Sequence, residues 1–342
     1  MAETPERIGL IVSSSPHIRG PEDIPRVMWT VIAALIPAGL VGVYVFGYYA
    51  LATIFLCVAS TLATEAACQK LRGRPVTITD GSAVITGILL AYVLPPSVAW
   101  YIPVVGGVFA IAVVKHTFGG LGNNIWNPAL AARAFLQLAY PAAINSDWRS
   151  LENAGVLQNI TLTDENGQLI GAVTRATPLF KESGWEQYDY MSMLIGNIPG
   201  CIGETSAVAL MLGGFYLIYR GYVDWRIPLG FIGTVFILTQ VMPSSIEAPW
   251  ANDPFYHVLA GGLMLGAFFM ATDMVTTPLT KRGMAIFGIG CGVLTVLIRF
   301  YAAYPEGVCY AILLMNTVTP LIDRYTQPRL MGVGKAASGG KG

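Results

Sequence analysis

The stretch from Val27 to Phe46, VMWTVIAALIPAGLVGVYVF, decides the fold of this chain. It contains no charged residue, and it is long enough for one α-helix to cross a bilayer, which needs about 20 apolar residues. Similar runs recur along all 342 residues, of which 54% are hydrophobic and only 12% are charged. Soluble domains have about 25% charged residues. The sequence therefore predicts a polytopic membrane protein, and without a basic run it predicts no nucleic-acid partner.

Membrane-spanning helices are predicted wherever an apolar run of sufficient length lies between polar segments. Ten runs fit, at residues 27–46, 48–69, 82–95, 98–116, 126–140, 204–219, 227–243, 256–271, 284–302 and 306–322. The third, fifth and eighth runs are short. Interrupted helices occur at membrane depth only where they are buried in protein or line a cavity. We therefore expect these three at the centre of an all-α bundle.

The distribution of Lys and Arg predicts the orientation of the chain. If both termini are cytoplasmic, most basic residues lie on the cytoplasmic side, as the positive-inside rule requires. The exceptions, at outer or embedded positions, are Arg133, Arg149, Arg175, Lys181 and Arg299. This gives a cytoplasmic N-terminal segment, a first five-helix repeat, a periplasmic or extracellular insertion, a second five-helix repeat and a cytoplasmic tail, at residues 1–26, 27–140, 141–203, 204–322 and 323–342.

The two halves share an ordered pattern of glycine, proline and asparagine. Asn127-Pro128 in the first half is echoed by Asn316 and Pro320 in the second. Because each half has an odd number of predicted helices, the second half would enter the membrane from the opposite face. Such inverted repeats are typical of transporters and channels. The alternative is that apolar helices resemble one another by composition alone.

The insertion contains a predicted β-hairpin followed by a threonine-rich segment. Residues 160–163 and 168–174 read as strands on either side of Asp164-Glu165-Asn166-Gly167, and Asn-Gly is a strong hairpin signal. The hairpin would place Thr174 to Thr177 at the end of its second strand. A threonine hydroxyl is a weak nucleophile, so here it would act as an attachment point and not as a catalyst.

These residues carry a resemblance to a known family. Thr174-Arg175-Ala176-Thr177, residues 14–17 (SSPH), residues 119–129 (GGLGNNIWNPA) and residues 266–278 (GAFFMATDMVTTP) resemble motifs of the NqrB/RnfD family. Its members are subunits of the Rnf ion-translocating ferredoxin:NAD oxidoreductase and of the sodium-pumping NADH:quinone oxidoreductase. The resemblance implies a translocase-type oxidoreductase subunit of the inner (plasma) membrane, coupled to Na+ or H+ movement and inactive without the other subunits.

The resemblance also implies a covalent cofactor. In the family, the last threonine of a Ser/Thr-Gly-Ala-Thr motif carries FMN through a phosphoester bond made by a separate flavin transferase, and the matching residue is Thr177. Thr174, Arg175 and Ala176 complete the motif. Arg175 departs from the family's glycine. It would either bind the flavin phosphate through its guanidinium or be a solvated loop residue.

A second, non-covalent flavin such as riboflavin is permitted by the resemblance. Asn124 and Asn127 follow a glycine-rich segment that could hold it, although the same segment could be a turn capped by asparagine before Pro128. Asp273 is an embedded acid that would line an ion or flavin cavity. Glu65 reads as interfacial, and the three histidines, His17, His116 and His257, read as residues of the membrane boundary. No metal site is predicted.

Two other functions fit an inverted five-helix architecture. One is a urea-channel-like solute channel or transporter without redox activity, because a fold alone does not fix function. The other is a structural anchor for soluble redox partners. Thr177 separates these from an electron carrier, since neither a channel nor an anchor needs a flavin attachment site.

Overall fold

The computed structural model of the chain describes residues 23–96, 98–145, 162–163, 169–170, 179, 189–196, 198, 200–242, 251–302 and 307–327. Apart from two short strands, its regular structure is helical. The helices of the first half are α1 (Ile24–Phe46), α2 (Tyr48–Leu71), α3 (Ser82–Tyr92), α4 (Tyr101–Val108, continuing as a π-helix over Phe109–His116), α5 (Pro128–Ala139) and α6 (Pro141–Asn145).

Helix α7 (Tyr190–Ile195) lies in the insertion. The helices of the second half are α8 (Ala207–Tyr219), α9 (Arg226–Val241), α10 (Pro254–Leu259), α11 (Leu263–Leu265, continuing as a π-helix over Gly266–Met270), α12 (Lys281–Tyr301) and α13 (Gly307–Thr326). Short 3-10 turns lie at Ile78–Asp80 and Ile202–Glu204.

Three of the described helices are long and apolar enough to cross a membrane: α1, α2 and α12. Shorter apolar helices are α3, α4 with its π-helical continuation, α8 and α9. The helices follow the predicted apolar runs closely, but the number of ten spans stays a prediction.

Helices pack on one another within each half and between the halves. In the first half α2 contacts α3 and α4, and in the second half α9 contacts α10 and α12. Between the halves, α1 packs on α8 and α5 packs on α13. The inverted repeat stays a prediction.

Small residues bring α2, α3 and α4 close together. A Cβ atom placed on Gly107 would lie 2.0 Å from Ser60 Oγ, and one placed on Gly87 would lie 2.7 Å from Thr61 Oγ1. Glycine at such crossings lets helix backbones approach within van der Waals contact. The close crossing buries the polar face of α2 against the end of the α4 π-helix.

The eighth predicted run is broken. Helix α10 ends at Leu259, and the chain resumes as α11 at Leu263. Gly261 and Gly262 have φ angles of 68° and 63°, a left-handed conformation that glycine adopts without a Cβ clash. The break exposes carbonyl groups inside the bundle, and they require donors from elsewhere.

Two short strands lie in the insertion. They are β1 (Leu162–Thr163) and β2 (Leu169–Ile170), which pair antiparallel with Leu162 opposite Ile170. The turn predicted between them, and the rest of the predicted second strand, lie outside the described residues. The hairpin as a whole therefore stays a prediction.

Candidate functional site

A cavity opens between α1, α3, the start of α5 and the π-helix that follows α11. Its atom-free space is about 830 Å³, a volume that includes open solvent. Most of its wall is apolar, and its apolar side chains include Met28, Val31, Ile85, Leu89, Phe268 and Phe269. Ligand sites typically have apolar walls and a few polar groups that fix orientation.

The three polar residues that the sequence proposed for a second flavin or an ion site lie together in this cavity. Asn124, Asn127 and Asp273 all line it, although Asp273 is far from the two asparagines in sequence. Asn127 and Asn124 are buried and Asp273 is half-buried. The structure therefore brings these predicted residues together, while Thr174, Arg175, Ala176 and Thr177 lie outside the described residues.

Asn127 holds two elements of the cavity wall together. Its Oδ1 accepts hydrogen bonds from the backbone N–H groups of Ala129 at 3.0 Å and Leu130 at 3.4 Å, which makes it the N-cap of α5. Its Nδ2 donates to the carbonyl of Met270 at 3.3 Å, at the end of the π-helix. The capping interpretation of Asn127 is confirmed, and the same side chain also faces the cavity.

The glycine-rich segment before Asn127 forms a tight turn. Gly119, Gly120 and Gly122 have φ angles of 124°, 101° and 90°, which other residues adopt only with strain. Asn124 fixes the end of this turn, because its Nδ2 donates to the carbonyl of Trp126 at 3.1 Å. The turn thus presents Asn124 and Asn127 on the same wall.

Asp273 lies in the connection that leaves the π-helix. Its Oδ2 accepts a hydrogen bond from Thr276 Oγ1 at 3.3 Å, and Oδ1 lies 3.5 Å from the backbone nitrogen of Val275. Burial raises the pKa of the Asp273 carboxyl, and these two donors partly oppose the shift. The carboxyl group is therefore held at the cavity wall in an environment that favours its neutral form.

Lys115 and Ser82 also line the cavity, and the sequence analysis did not single them out. Lys115 Nζ lies 2.9 Å from Glu65 Oε2 and 2.8 Å from Ser82 Oγ. Glu65 is 2% exposed, so the protein covers it, and its interfacial position stays a prediction. Its charge is buried because Lys115 pairs with it and Gln69 Nε2 donates to Oε1 at 2.8 Å. Two opposite charges on two predicted helices were the available signal, because embedded ionisable groups usually pair.

Two of the histidines predicted at the membrane boundary are buried in the protein, and the boundary position itself stays a prediction. His116 is 5% exposed, with Nε2 at 3.2 Å from Glu65 Oε1. His257 is fully buried, with Nε2 at 2.9 Å from the carbonyl of Ala251. Both lie at helix ends that are covered by neighbouring elements, which hydropathy along the sequence does not reveal. His17 lies outside the described residues.

Buried arginines stabilise the interrupted segments away from the cavity. Arg299 donates to the carbonyls of His257, Ala260 and Gly261 at 2.6, 3.2 and 3.1 Å, and so caps the break after α10. Arg133 donates to the carbonyl of Val93, just beyond α3. Both arginines are embedded, as expected, and their contacts are those of structural caps.

Comparison with known proteins identifies relatives over nearly the full chain. The pattern of the family described as the NQR2, RnfD, RnfE family matches residues 11–332. A protein of Acetobacterium woodii, named as a subunit of the Na(+)-translocating ferredoxin:NAD(+) oxidoreductase complex, is 48% identical over 333 residues, covering 96% of this chain and 97% of the relative.

Two further relatives carry corresponding names. A protein of Clostridium ljungdahlii, named as a subunit of the proton-translocating ferredoxin:NAD(+) oxidoreductase complex, is 46% identical over 332 residues, which cover 94% of this chain and 96% of the relative. A protein of Halorhodospira halophila, named as a subunit of the ion-translocating oxidoreductase complex, is 38% identical over 338 residues, which cover 93% and 94%.

Proposed function

The chain belongs to the NQR2, RnfD, RnfE family of membrane proteins, and we propose that it is the flavin-carrying subunit of an Rnf-type complex. That complex couples electron transfer between ferredoxin and NAD to ion movement. The observation that carries the proposal is the near full-length similarity to relatives that are named as one subunit of such complexes. The chain works as part of a translocase-type oxidoreductase, together with the other subunits.

The transported ion is Na+ or H+. One relative is named Na(+)-translocating and another proton-translocating, at 48% and 46% identity. Similarity of this degree does not show which of the two ions is transported. Ion uptake driven by electron transfer in membrane vesicles, measured with and without added sodium and a protonophore, distinguishes them. Sodium-dependent ion uptake that survives the protonophore indicates Na+, whereas uptake abolished by the protonophore indicates H+.

The proposed carrier on the outer side is FMN attached to Thr177 through a phosphoester bond made by a flavin transferase. The positive-inside distribution of Lys and Arg supports this placement, with both termini cytoplasmic and residues 141–203 outside the inner membrane. Arg175, next to the attachment site, would hydrogen-bond the flavin phosphate. Unchanged flavin loading and midpoint potential in Arg175→Ala would remove that role.

A second, non-covalent flavin is proposed in the cavity. The chemistry of the wall fits such a ligand: apolar side chains such as Leu89 and Phe268 would hold a flat ring, and Asn124, Asn127 and Asp273 would offer hydrogen-bonding groups to its polar atoms. When bound, a flavin supplies the exchange of one or two electrons. The protein residues orient the ring, exclude water and fix the charge around it.

Fluorescence of the denatured chain tests the covalent site. The full chain is produced together with its flavin transferase, separated by denaturing gel electrophoresis and viewed under ultraviolet light. We expect flavin fluorescence to travel with the wild-type chain and to be lost in Thr177→Ala. Thr163→Ala is the matched control, because it removes a threonine of the same insertion and should leave the fluorescence unchanged.

The same gel decides between an electron carrier and a channel. A urea-channel-like protein has no reason to carry covalent flavin. Absence of fluorescence and of the added mass of FMN from the wild-type chain would therefore contradict the proposed carrier on Thr177. Fluorescence that persists in Thr177→Ala would show that another residue is the attachment point.

A further inference from the structure

We infer that Lys115 sets the redox potential of the flavin in the cavity, by placing a positive charge beside the ring that Glu65 partly neutralises. The inference rests on the proposed second flavin and adds to it two positioning residues. Lys115 and Glu65 form a buried ion pair, in which Lys115 lines the cavity and Glu65 does not.

The two members of the ion pair are placed differently with respect to the cavity. Lys115 and Ser82 line the cavity, whereas Glu65 does not. Lys115 Nζ lies 2.9 Å from Glu65 Oε2 and 2.8 Å from Ser82 Oγ. Lys115 and Glu65 are each 2% exposed. The lysine is therefore the member of the ion pair that borders the cavity, and the carboxylate contacts its ammonium group without lining the cavity.

The ammonium group has donor capacity left for a ligand. It carries three N–H groups, of which two are used by Glu65 and Ser82. Among the described residues Lys115 has no other acceptor within hydrogen-bond distance. Ser82 Oγ in turn donates to Asp80 Oδ1 at 2.8 Å, which fixes the hydroxyl and leaves its lone pairs toward Lys115. One N–H is thus available to a carbonyl or ring nitrogen of a bound ligand.

The other charged groups around Lys115 are few. His116 lies on the far side of Glu65, with Nε2 at 3.2 Å from its Oε1, and Asp80 contacts Lys115 only through Ser82. Arg74 binds the carbonyl of Gly119 at the exposed end of the turn. Asp273 is the other acidic or basic side chain in the described cavity lining. Lys115 is therefore the nearest positive charge that a cavity ligand meets in the described part of the chain.

The charge matters because reduction changes the charge of a flavin. A flavin held in the cavity would become more negative on reduction. A neighbouring cation favours the charged form of a group, and a neighbouring anion disfavours it. Lys115 would therefore favour the reduced flavin through its charge alone, without forming or breaking a bond. Glu65 would moderate the effect.

The two members of the pair should consequently shift the potential in opposite directions. A charge within about 4–6 Å changes an ionisation equilibrium by about tenfold or more. For one-electron reduction, a tenfold change in the ratio of reduced to oxidised flavin equals about 59 mV. We expect Lys115→Met to lower the midpoint potential by at least this amount. Glu65→Gln should raise it by a smaller amount, because Glu65 does not line the cavity.

The experiment uses the full chain carrying Thr177→Ala, so that riboflavin in the cavity is the flavin observed. The chain is placed in lipid nanodiscs, supplied with riboflavin and titrated by spectroelectrochemistry. Lys115→Arg keeps the charge and should keep a potential near the wild-type value. Lys70→Gln removes an exposed charge at the end of α2, where solvent and salt screen it, and should cause no shift.

A double variant guards against loss of folding. Removing one member of a buried ion pair strands the other charge, whereas removing both avoids that cost. Lys115→Met combined with Glu65→Gln should therefore fold at least as well as either single variant and show an intermediate potential. If Lys115→Met alone does not fold, the potential of the double variant is compared with that of Glu65→Gln.

Each outcome bears on one of the two proposals. Shifts of opposite sign support the inference. Bound riboflavin whose potential is unchanged in both variants, or shifts in the same direction, overturns the inference and leaves the second flavin in place. A wild-type chain that shows no flavin spectrum after riboflavin is supplied overturns the second flavin, and the inference with it.

Discussion

Replacing Arg299 by methionine tests the role of a buried cation at the break after α10. The guanidinium donates to three carbonyls, those of His257, Ala260 and Gly261, at 2.6–3.2 Å. The left-handed conformation of Gly261 and Gly262 interrupts the helical hydrogen bonds at this point. Methionine has a similar volume and no donor, so the carbonyls lose their partners while the packing is largely kept.

The size of the effect follows from the hydrogen bonds. A hydrogen bond to a charged group contributes about 1.5–3 kcal/mol, so three give at least about 4.5 kcal/mol before offsets. Arg299 also loses solvation on burial, and the methionine variant avoids that cost. We therefore expect Arg299→Met to lower the free energy of unfolding by about 3–5 kcal/mol. At about 2 °C per kcal/mol, the melting temperature should fall by roughly 6–10 °C.

The assay is thermal unfolding of the full chain in detergent, followed by intrinsic fluorescence. Arg226→Met is the matched control, because Arg226 pairs with Asp224 at 2.9 Å while its side chain is 30% exposed. Such exposed pairs contribute about 0–1 kcal/mol. If Arg299→Met melts within a degree or two of Arg226→Met, the capping role of Arg299 is refuted.

Three further predictions concern packing, the cavity and pH. Gly107→Ala should lower stability by about 1–3 kcal/mol in the same melting assay, because its Cβ would meet Ser60, whereas Gly233→Ala meets nothing within 4 Å and should be tolerated. Asn127→Ala removes the N-cap of α5 and should lower stability by about 1–2 kcal/mol and weaken riboflavin retention after gel filtration; equal retention in Asn127→Ala and in the exposed control Asn123→Ala would contradict the cavity role. Since burial raises the pKa of Asp273, the folded chain binds that proton more tightly than the unfolded chain. The free energy of unfolding of the wild type should therefore fall as pH rises from the ordinary pKa of 3.8 to the raised pKa of the folded chain. In chemical unfolding at matched pH values, the free energy of unfolding of Asp273→Asn should change less with pH.

Much of the helical architecture could be predicted from hydropathy and punctuation. Apolar runs of bilayer length indicated where helices lie, since backbone groups in lipid must be bonded within a helix. The run predicted at residues 48–69 corresponds to the helix Tyr48–Leu71, and the run predicted at residues 284–302 corresponds to the helix Lys281–Tyr301. Proline at the start of α5 and asparagine before it marked that helix correctly, because both residue types favour a helix N-terminus.

The interior of the bundle was less accessible to sequence reasoning. Hydropathy averages over a window, so it did not locate the break at Gly261-Gly262 or the π-helical ends of α4 and α11. Burial depends on helices far apart in sequence, so the sequence did not show that Glu65 and His116 are covered by the protein. Asp273 was selected because an acid beside an apolar run stands out, and Asn127 because it follows a glycine-rich segment. Lys115, at the end of the predicted run 98–116, was counted only as one of the basic residues on the cytoplasmic side.

The close contact between Ser60 and Gly107 has a consequence for motion. Because side chains of α2 already touch the backbones of α3 and α4, these helices cannot slide past one another without a clash, and we expect them to move as one rigid block. The second half has a pair of consecutive glycines, Gly261 and Gly262, inside the eighth predicted run. We expect any bending of this segment to concentrate at these glycines, and the three hydrogen bonds from Arg299 to the neighbouring carbonyls would have to break first.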